Sequence, residues 1–191
     1  MKAAPGPAIA ACMLALLVGC AGLPGSAPPP VPRPAAAQIS AYTLSGRISV
    51  RQAEARYIAN ISWRHAAAAD EIMLTTPFGS GIAALTRDAS GASLVSADHG
   101  RLQAPDWDAL AAQAFGAELP LARLPRWLLA DVPAGAQRDA AGRPRHFAQD
   151  GWEVDFERYE SEAPAALPVL IEFRRGDIEV RLKIDTWELV R

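Results

Sequence analysis

The four residues Leu17-Val18-Gly19-Cys20 are the stretch whose types and order most directly suggest chemistry. They match a bacterial lipobox, in which a cysteine thiol takes up a diacylglyceryl group and small neighbours let a peptidase cut before it. The tetrapeptide also ends an apolar run, which favours this interpretation over a secretory signal with an incidental cysteine or a short membrane anchor. We therefore expect acylation of Cys20, and two or more acyl chains hold a protein stably on a membrane.

Other patterns that could carry chemistry are weak. The segment Gly79-Ser80-Gly81-Ile82-Ala83-Ala84 matches the loose dinucleotide fingerprint, but no helix follows it, and it does not match the G-x-S-x-G pattern. The histidines at 65, 99 and 146 are scattered without metal-ligand spacing. We expect no enzyme, no cofactor and no metal site.

Three carboxylates, Glu153, Asp155 and Glu157, share one face of a predicted strand. The opposite face carries Trp152, Val154 and Phe156, so the acidic face is expected to be solvated rather than catalytic.

Composition limits the classes of function. The chain has 191 residues, a formal net charge of −2 and no basic stripe, so nucleic acid is not an expected partner. The two cysteines, Cys12 and Cys20, fall in or beside the leader, which leaves the folded domain without a disulfide framework.

Three segments follow from composition and pattern. Residues 1–19 are predicted to be a lipoprotein signal peptide, and its apolar run is too short to span a bilayer. Residues 20–38 form a proline-rich lipidated tether, which favours extended conformations. Residues 39–191 form one folded domain, in which antiparallel strands are interrupted once by helices.

Alternation of apolar and polar residues, punctuated by turn residues, places the strands of this domain. The expected strands are Tyr42–Val50, Arg56–Arg64, Ile72–Thr76, Ile82–Thr86, Ala92–Ala97, Arg101–Ala104, Arg145–Gln149, Trp152–Glu157, Leu167–Arg174 and Ile178–Leu189. The expected helices run from an Asp106 cap to Gly116, and over Ala122–Ala130. The order predicts a mainly β (α+β) fold, a curved sheet or incomplete antiparallel barrel with helices covering its concave side.

The inward-facing apolar residues have two interpretations. They either fill a core or wall a cavity beneath the helices that could hold an acyl chain, whose affinity comes from apolar area removed from water. The residues proposed for such a lining are Ile48, Ile61, Trp63, Leu74, Trp127 and Phe156.

The turn Pro77-Phe78-Gly79-Ser80-Gly81 presents an apolar side chain at a hairpin tip. Phe78 either faces solvent, where it could enter a lipid interface, or folds back onto the sheet.

Several motifs, taken in order, resemble the LolB family of outer-membrane lipoprotein receptors. They are Leu44-Ser45-Gly46-Arg47-Ile48-Ser49-Val50, Tyr57 to Trp63, Leu74-Thr75-Thr76-Pro77-Phe78-Gly79, Leu119-Pro120, Leu124-Pro125-Arg126-Trp127-Leu128 and Gln149-Asp150-Gly151-Trp152-Glu153-Val154. The resemblance covers nearly all of residues 42–191, and Phe78 stands where the family typically has leucine.

The resemblance implies an incomplete barrel with a helical lid over a hydrophobic cavity. It implies a non-enzymatic task, in which acyl chains of cargo lipoproteins are taken from the periplasmic carrier LolA and inserted into the inner leaflet of the outer membrane. Pro77, Phe78 and Gly79 would form the membrane-transfer loop, and Ala21 fits sorting to the outer membrane. We expect a monomer that is lipid-anchored and faces the periplasm.

Other classes of function stay open at this point. The chain could bind a small hydrophobic ligand without passing it on, or be a structural lipoprotein of envelope assembly. An envelope hydrolase is disfavoured because the sequence shows no nucleophile and base set.

Overall fold

The computed structural model describes residues 36–115 and 119–190. A 3₁₀ turn at Ala36–Gln38 precedes eleven strands and two short helices within these residues. The strands are β1 Ala41–Gln52, β2 Ala55–Ala66, β3 Ala69–Thr75, β4 Gly81–Asp88, β5 Gly91–Ser96, β6 Gly100–Ala104, β7 Gln137–Arg138, β8 Pro144–Gln149, β9 Trp152–Tyr159, β10 Pro168–Arg175 and β11 Ile178–Leu189. The helices are α1 Trp107–Phe115 and α2 Leu124–Leu128.

All strands join one antiparallel sheet in the order β6-β5-β4-β3-β2-β1-β11-β10-β9-β8-β7. Two meanders, one before the helices and one after them, are joined where the first strand pairs with the last. The edges β6 and β7 do not pair with each other, so the sheet is open. The predicted incomplete antiparallel barrel is confirmed.

A single glycine allows the two central strands to pair closely. The register between β1 and β11 shifts at Ser45/Gly46. A Cβ atom at Gly46 would overlap the carbonyl oxygen of Lys183 and come within 2.9 Å of the Ile184 Cα. Only glycine fits this approach without a backbone shift.

The helical segment lies between β6 and β7 in the chain, and these strands are the two edges of the sheet. The predicted cap of α1 is confirmed, because Asp106 Oδ1 accepts a hydrogen bond of 2.8 Å from the Ala109 amide. Side chains of both helices, including Trp107, Leu110 and Leu128, are buried in the same core as the sheet. The segment therefore covers the concave side.

The structure differs locally from what the sequence pattern indicates. The second helix covers Leu124–Leu128 rather than Ala122–Ala130, and Ala130 has a φ of 61°, which a right-handed helix cannot continue. The two-residue strand β7 was not predicted, because so short a pairing leaves no alternation to read. Tyr57 belongs by alternation to the inward face of β2, but it is 67% exposed because it lies near the end of a projecting hairpin.

The pairs Asp150-Gly151 and Gly176-Asp177, which are typical of hairpin turns, form the β8–β9 and β10–β11 turns. Asp150 and Gly151 have φ values of 53° and 77°, and Gly176 has 58°. None of the helices in the described part of the chain has the length and apolar character needed to cross a membrane.

Candidate functional site: an apolar cavity and its mouth

A cavity of about 240 Å³ lies between the concave face of the sheet and the segment that carries α2. Apart from Gln52, its lining side chains are aliphatic, aromatic or proline. It thus offers almost no hydrogen-bonding groups, and a ligand held there would be recognised by apolar surface alone.

The structure places four of the six proposed lining residues, Ile48, Ile61, Trp63 and Leu74, on the cavity wall. The other two lie in the packed core instead. Trp127 packs edge-on against Phe147 with ring centroids 5.2 Å apart, and Phe156 stacks between Phe147 and Tyr159 at 6.1 Å from each. Alternation identified the correct face of each element, but it could not show that these aromatic rings fill the space among themselves.

The residues that form the roof of the cavity lie just before α2 and in α2 itself, and they were missed as lining residues. They are Leu119, Pro120, Leu121, Leu124 and Leu128. The helices were expected on the concave side of the sheet, but nothing local showed which of these leucines and prolines would line the cavity. We call residues 119–128 the lid.

The lid is held mostly by apolar packing. The Tyr42 hydroxyl donates to the Pro125 carbonyl oxygen at 3.4 Å, which is a long hydrogen bond. Arg123 forms an ion pair of 3.0 Å with Asp150 in the β8–β9 turn, and both side chains are about half exposed. An exposed pair of this kind contributes about 0–1 kcal/mol. Few directional contacts therefore oppose displacement of the lid.

The lining residues that keep some exposure to solvent indicate where the cavity opens. Val50 and Gln52 lie at the end of β1, Leu74 at the end of β3, and Ile178 and Val180 at the start of β11. Antiparallel pairing puts these positions at one end of the sheet, where the β1–β2, β3–β4 and β10–β11 hairpins turn. We call this end the mouth.

The Pro77–Gly81 turn joins β3 to β4 at the mouth. The Gly79 amide donates to the Thr76 carbonyl at 2.9 Å, and the Thr76 amide donates to the Ser80 carbonyl at 2.8 Å. Gly79 has a φ of 89°, which suits glycine in this tight reversal. The Asn60 side chain also donates to the Thr76 carbonyl at 3.2 Å. The backbone is thus fixed, and the Phe78 side chain at its tip is 98% exposed.

A buried carboxylate fixes the start of α1 against the sheet. Asp70 accepts hydrogen bonds from Trp63 Nε1 at 2.9 Å and Trp107 Nε1 at 3.4 Å. His65 Nδ1 lies 2.6 Å from the same carboxylate, and Arg87 Nε donates at 2.7 Å. Burial acts to raise the pKa of Asp70, but the hydrogen bonds from His65, Trp63 and Arg87 outweigh it and lower the pKa. The Trp63 ring therefore lines the cavity, while its indole N–H donates to Asp70.

The acidic face of β9 is engaged in surface ion pairs. Asp155 lies 2.5 Å from Arg174 and 2.9 Å from His146, and Glu157 lies 2.6 Å from Arg181. Among residues 36–115 and 119–190, no group of three potential ligands could hold a metal ion. Cys20, the predicted signal peptide and residues 20–35 of the tether lie outside the described residues.

Comparison with known proteins assigns the family. A family model described as "Outer membrane lipoprotein LolB" matches residues 40–187. Proteins named outer-membrane lipoprotein LolB are similar over most of both chains. The one from Azoarcus sp. is 37% identical over 93% of this chain and 92% of its own, and the one from Thiobacillus denitrificans is 35% identical over 95% and 96%. The one from Dechloromonas aromatica is 34% identical over 92% and 93%.

Among solved structures, a LolA superfamily protein, NE2245 from Nitrosomonas europaea, aligns with a TM-score of 0.49 and 9% identity over 81% of this chain and 88% of its own. The family model spans the strands of both meanders, the lid and the Phe78 turn. From this match and from relatives above 30% identity along nearly the whole chain, we conclude that the chain belongs to the LolB family of outer-membrane lipoproteins.

Proposed function

We propose that this chain takes the acyl chains of a lipoprotein from the carrier LolA into its apolar cavity. It then releases them through the mouth into the inner leaflet of the outer membrane. The family supplies the role of lipoprotein receptor and insertion protein and the lipid-anchored location at the outer membrane. The observation that carries the physical route is an apolar cavity whose mouth is at the same end as the fully exposed Phe78.

The cavity suits transfer rather than storage. Each methylene group buried away from water is worth about 0.8 kcal/mol, so an acyl chain crossing water would meet a large barrier. An apolar wall and a bilayer interior are similar environments for such a chain. Movement between them therefore needs little free energy, provided that the mouth touches the bilayer.

The lid must move to admit a whole acyl chain. A volume of about 240 Å³ is below the roughly 300–1,000 Å³ of pockets that hold drug-sized ligands. The weak directional contacts of the lid, through Tyr42 and Arg123, allow such a displacement. The entering acyl chain would then cover the apolar surface of the sheet that the displaced lid uncovers.

Phe78 is proposed to bring the mouth to the bilayer. Full burial of such a side chain is worth roughly 1.5–3 kcal/mol, which is enough for a transient contact and too little for permanent attachment. Lasting attachment is assigned to acylated Cys20, with residues 1–19 removed as a signal peptide and residues 20–38 serving as the tether. We propose that the domain works as a monomer, since transfer needs one cavity and one mouth.

The test is reconstitution of transfer. Purified mature protein is mixed with a complex of LolA and an acylated lipoprotein, and liposomes are then added. We expect the cargo to leave LolA, to appear on this protein and then to float with the liposomes. Retention of cargo on LolA would contradict the proposal. Binding of an acyl-chain fluorophore without any transfer of cargo would favour a binder of small hydrophobic ligands, which the modest cavity volume also suits.

A further inference from the structure

The β1–β2 hairpin projects at the mouth beyond its neighbour β3. β2 begins at Ala55, but its first residue opposite β3 is Asn60, which lies across from Thr75. Residues 55–59 therefore pair with β1 alone and leave one edge of β2 without a strand partner. Tyr57 is 67% exposed and Ile58 is 52% exposed in this projecting part.

The two exposed side chains lie on opposite faces of the ribbon. Tyr57 is opposite Val50, which lines the cavity, so Tyr57 extends the cavity face to the rim of the mouth. Ile58 is opposite Ser49 and belongs to the outer face. The hairpin thus carries an apolar group on each side of its projecting end.

This arrangement favours a fluid surface over a protein partner. A rigid protein surface would cover one face of the ribbon and leave the other in water, whereas the interfacial region of a bilayer surrounds an inserted tip. Tyrosine suits that region because its ring is apolar and its hydroxyl can reach the headgroups.

The tip carries charges of both signs, with Arg51 and Arg56 on the two strands and the exposed Glu54 in the turn between them. Arg56 lies across from Arg51 in the hairpin, and Arg51 forms an ion pair with Glu179. Arg56 forms no ion pair within the part of the chain that the structure describes. An arginine with an apolar stem can extend its guanidinium to lipid phosphates while the neighbouring side chains insert.

We propose that the hairpin tip at residues 51–58 is a second membrane contact beside Phe78. Two contacts on the β2–β3 side of the mouth restrict its tilt on the bilayer more than one tip does. The inference rests on the proposed function for its purpose, but the contact itself is measured without cargo.

The test uses single fluorescent labels on the mature chain with Cys20→Ala, which leaves no other cysteine after removal of residues 1–19. A cysteine replaces Tyr57, Ile58, Phe78 or Ala68 in turn, and each carries an environment-sensitive nitrobenzoxadiazole group. Ala68 is the matched control, because it is exposed in the β2–β3 turn at the end opposite the mouth. With vesicles of phosphatidylethanolamine and phosphatidylglycerol, we expect blue-shifted emission at 57, 58 and 78 and none at 68.

A response at position 78 without one at 57 or 58 would overturn the inference. A response at all four positions would also overturn it, because it would indicate nonspecific adsorption. If the labels respond at 57 and 58 while unlabelled protein transfers no cargo, the hairpin contact stands and the proposed function fails.

A second experiment compares the rate of cargo delivery by the double variant Tyr57→Ser and Ile58→Ser with the rate of the control variant Val190→Ser. Val190 is 61% exposed beside the start of β1, far from the mouth. We expect the double variant to accept cargo from LolA normally and to deliver it to liposomes on the order of tenfold more slowly, because apolar burial at the interface is lost. The control should deliver at the normal rate, and normal delivery by the double variant would contradict the role of the tip.

Discussion

The exposed Phe78 side chain is unfavourable in water and would be favourable in the interface of a bilayer. Its backbone is fixed by hydrogen bonds among Thr76, Gly79 and Ser80, so its exposure follows from the geometry of the turn. Exposure of a single phenylalanine is common on protein surfaces. Its position at the mouth of an apolar cavity is what supports the proposed contact with the bilayer.

Substitution of Phe78 should separate acceptance of cargo from delivery. Phe78→Glu places a carboxylate where the interface must be entered, so delivery to liposomes should fall about tenfold or more. Acceptance from LolA and the thermal midpoint should change little, because the side chain packs against nothing. Phe78→Leu should keep most of the delivery rate. Val190→Glu serves as the control at the opposite end, and an unchanged rate for Phe78→Glu would leave the turn without a role in transfer.

Asp70 is the second residue whose role is local and testable. Asp70→Asn removes the charge opposite Arg87, which is partly exposed, and we expect a loss of about 2–3 kcal/mol in the free energy of unfolding. Glu71→Gln is the matched control, because the neighbouring Arg64–Glu71 pair is exposed on both sides. Urea unfolding of the two variants measures the difference, and equal stabilities would contradict the anchoring role.

The lowered pKa of Asp70 gives this effect a pH dependence. A carboxyl whose pKa is lower in the folded state stabilises fully above its ordinary pKa of about 3.9, and this contribution is lost as the pH falls through the lowered value. The stability difference between wild type and Asp70→Asn should therefore be constant near neutral pH and shrink below about pH 4. A difference that stays constant down to pH 2 would show that the carboxylate charge is unimportant.

At the scale of elements, the central pairing of β1 with β11 depends on Gly46. Gly46→Ala would push a methyl group into the Lys183 carbonyl, and we expect a loss of about 2 kcal/mol or more of stability with a lower thermal midpoint. Gly135→Ala is the control, since its Cβ would meet no atom within 4 Å. A midpoint for Gly46→Ala equal to that of Gly135→Ala would mean that the strands relax apart at no cost.

The lid is an element that depends on its surroundings. A five-residue helix such as α2 is far too short to be stable alone, so its structure comes from packing on the sheet. By contrast, α1 has nine residues and a side-chain cap, and its Trp107, Leu110 and Ala111 side chains are buried in the core. Displacement during acyl-chain entry should therefore involve residues 119–128 and leave α1 in place.

At the scale of the whole molecule, the described chain starts at the end of the sheet opposite the mouth. β1 runs from that end to the mouth over 12 residues, which is about 40 Å. If Cys20 is acylated, residues 20–35 must span a comparable distance for the mouth to touch the bilayer that holds the anchor. Fully extended, they reach at most about 55 Å. The predicted tether is therefore long enough to meet this requirement.

Shortening the tether should therefore abolish delivery only in the anchored protein. Deletion of residues 24–33 leaves a reach of about 20 Å, so we expect anchored protein to accept cargo but not to insert it into its own membrane. Replacement of the same residues by an equal number of glycines and serines should keep delivery, and so should the deletion in unanchored Cys20→Ala protein. Normal delivery by the anchored deletion would refute the length requirement.

The longer strands, the hairpin turns and the Asp106 cap could be inferred from local patterns, because period-two alternation and turn chemistry act over a few residues. The face on which Ile48 or Trp63 lies was equally accessible. The sequence placed Phe78 in a turn but left open whether its side chain faces solvent, and the structure decided that it does. The height of each residue along the strand direction could not be inferred from local patterns. It depends on the register between strands that are distant in the chain, such as the pairing of Leu44 with Trp187.

That register decided which inward residues wall the cavity and which fill the core. The register placed Trp127 and Phe156 among other aromatic rings. It also brought the lid over Ile61 and Leu74. A third result is the hydrogen-bond network of Trp63, Asp70 and Trp107. The register also set the mouth, the Phe78 turn and the β1–β2 tip at one end, opposite Ala36. These features arise from pairings between distant segments, and spacing along the chain carries no record of them.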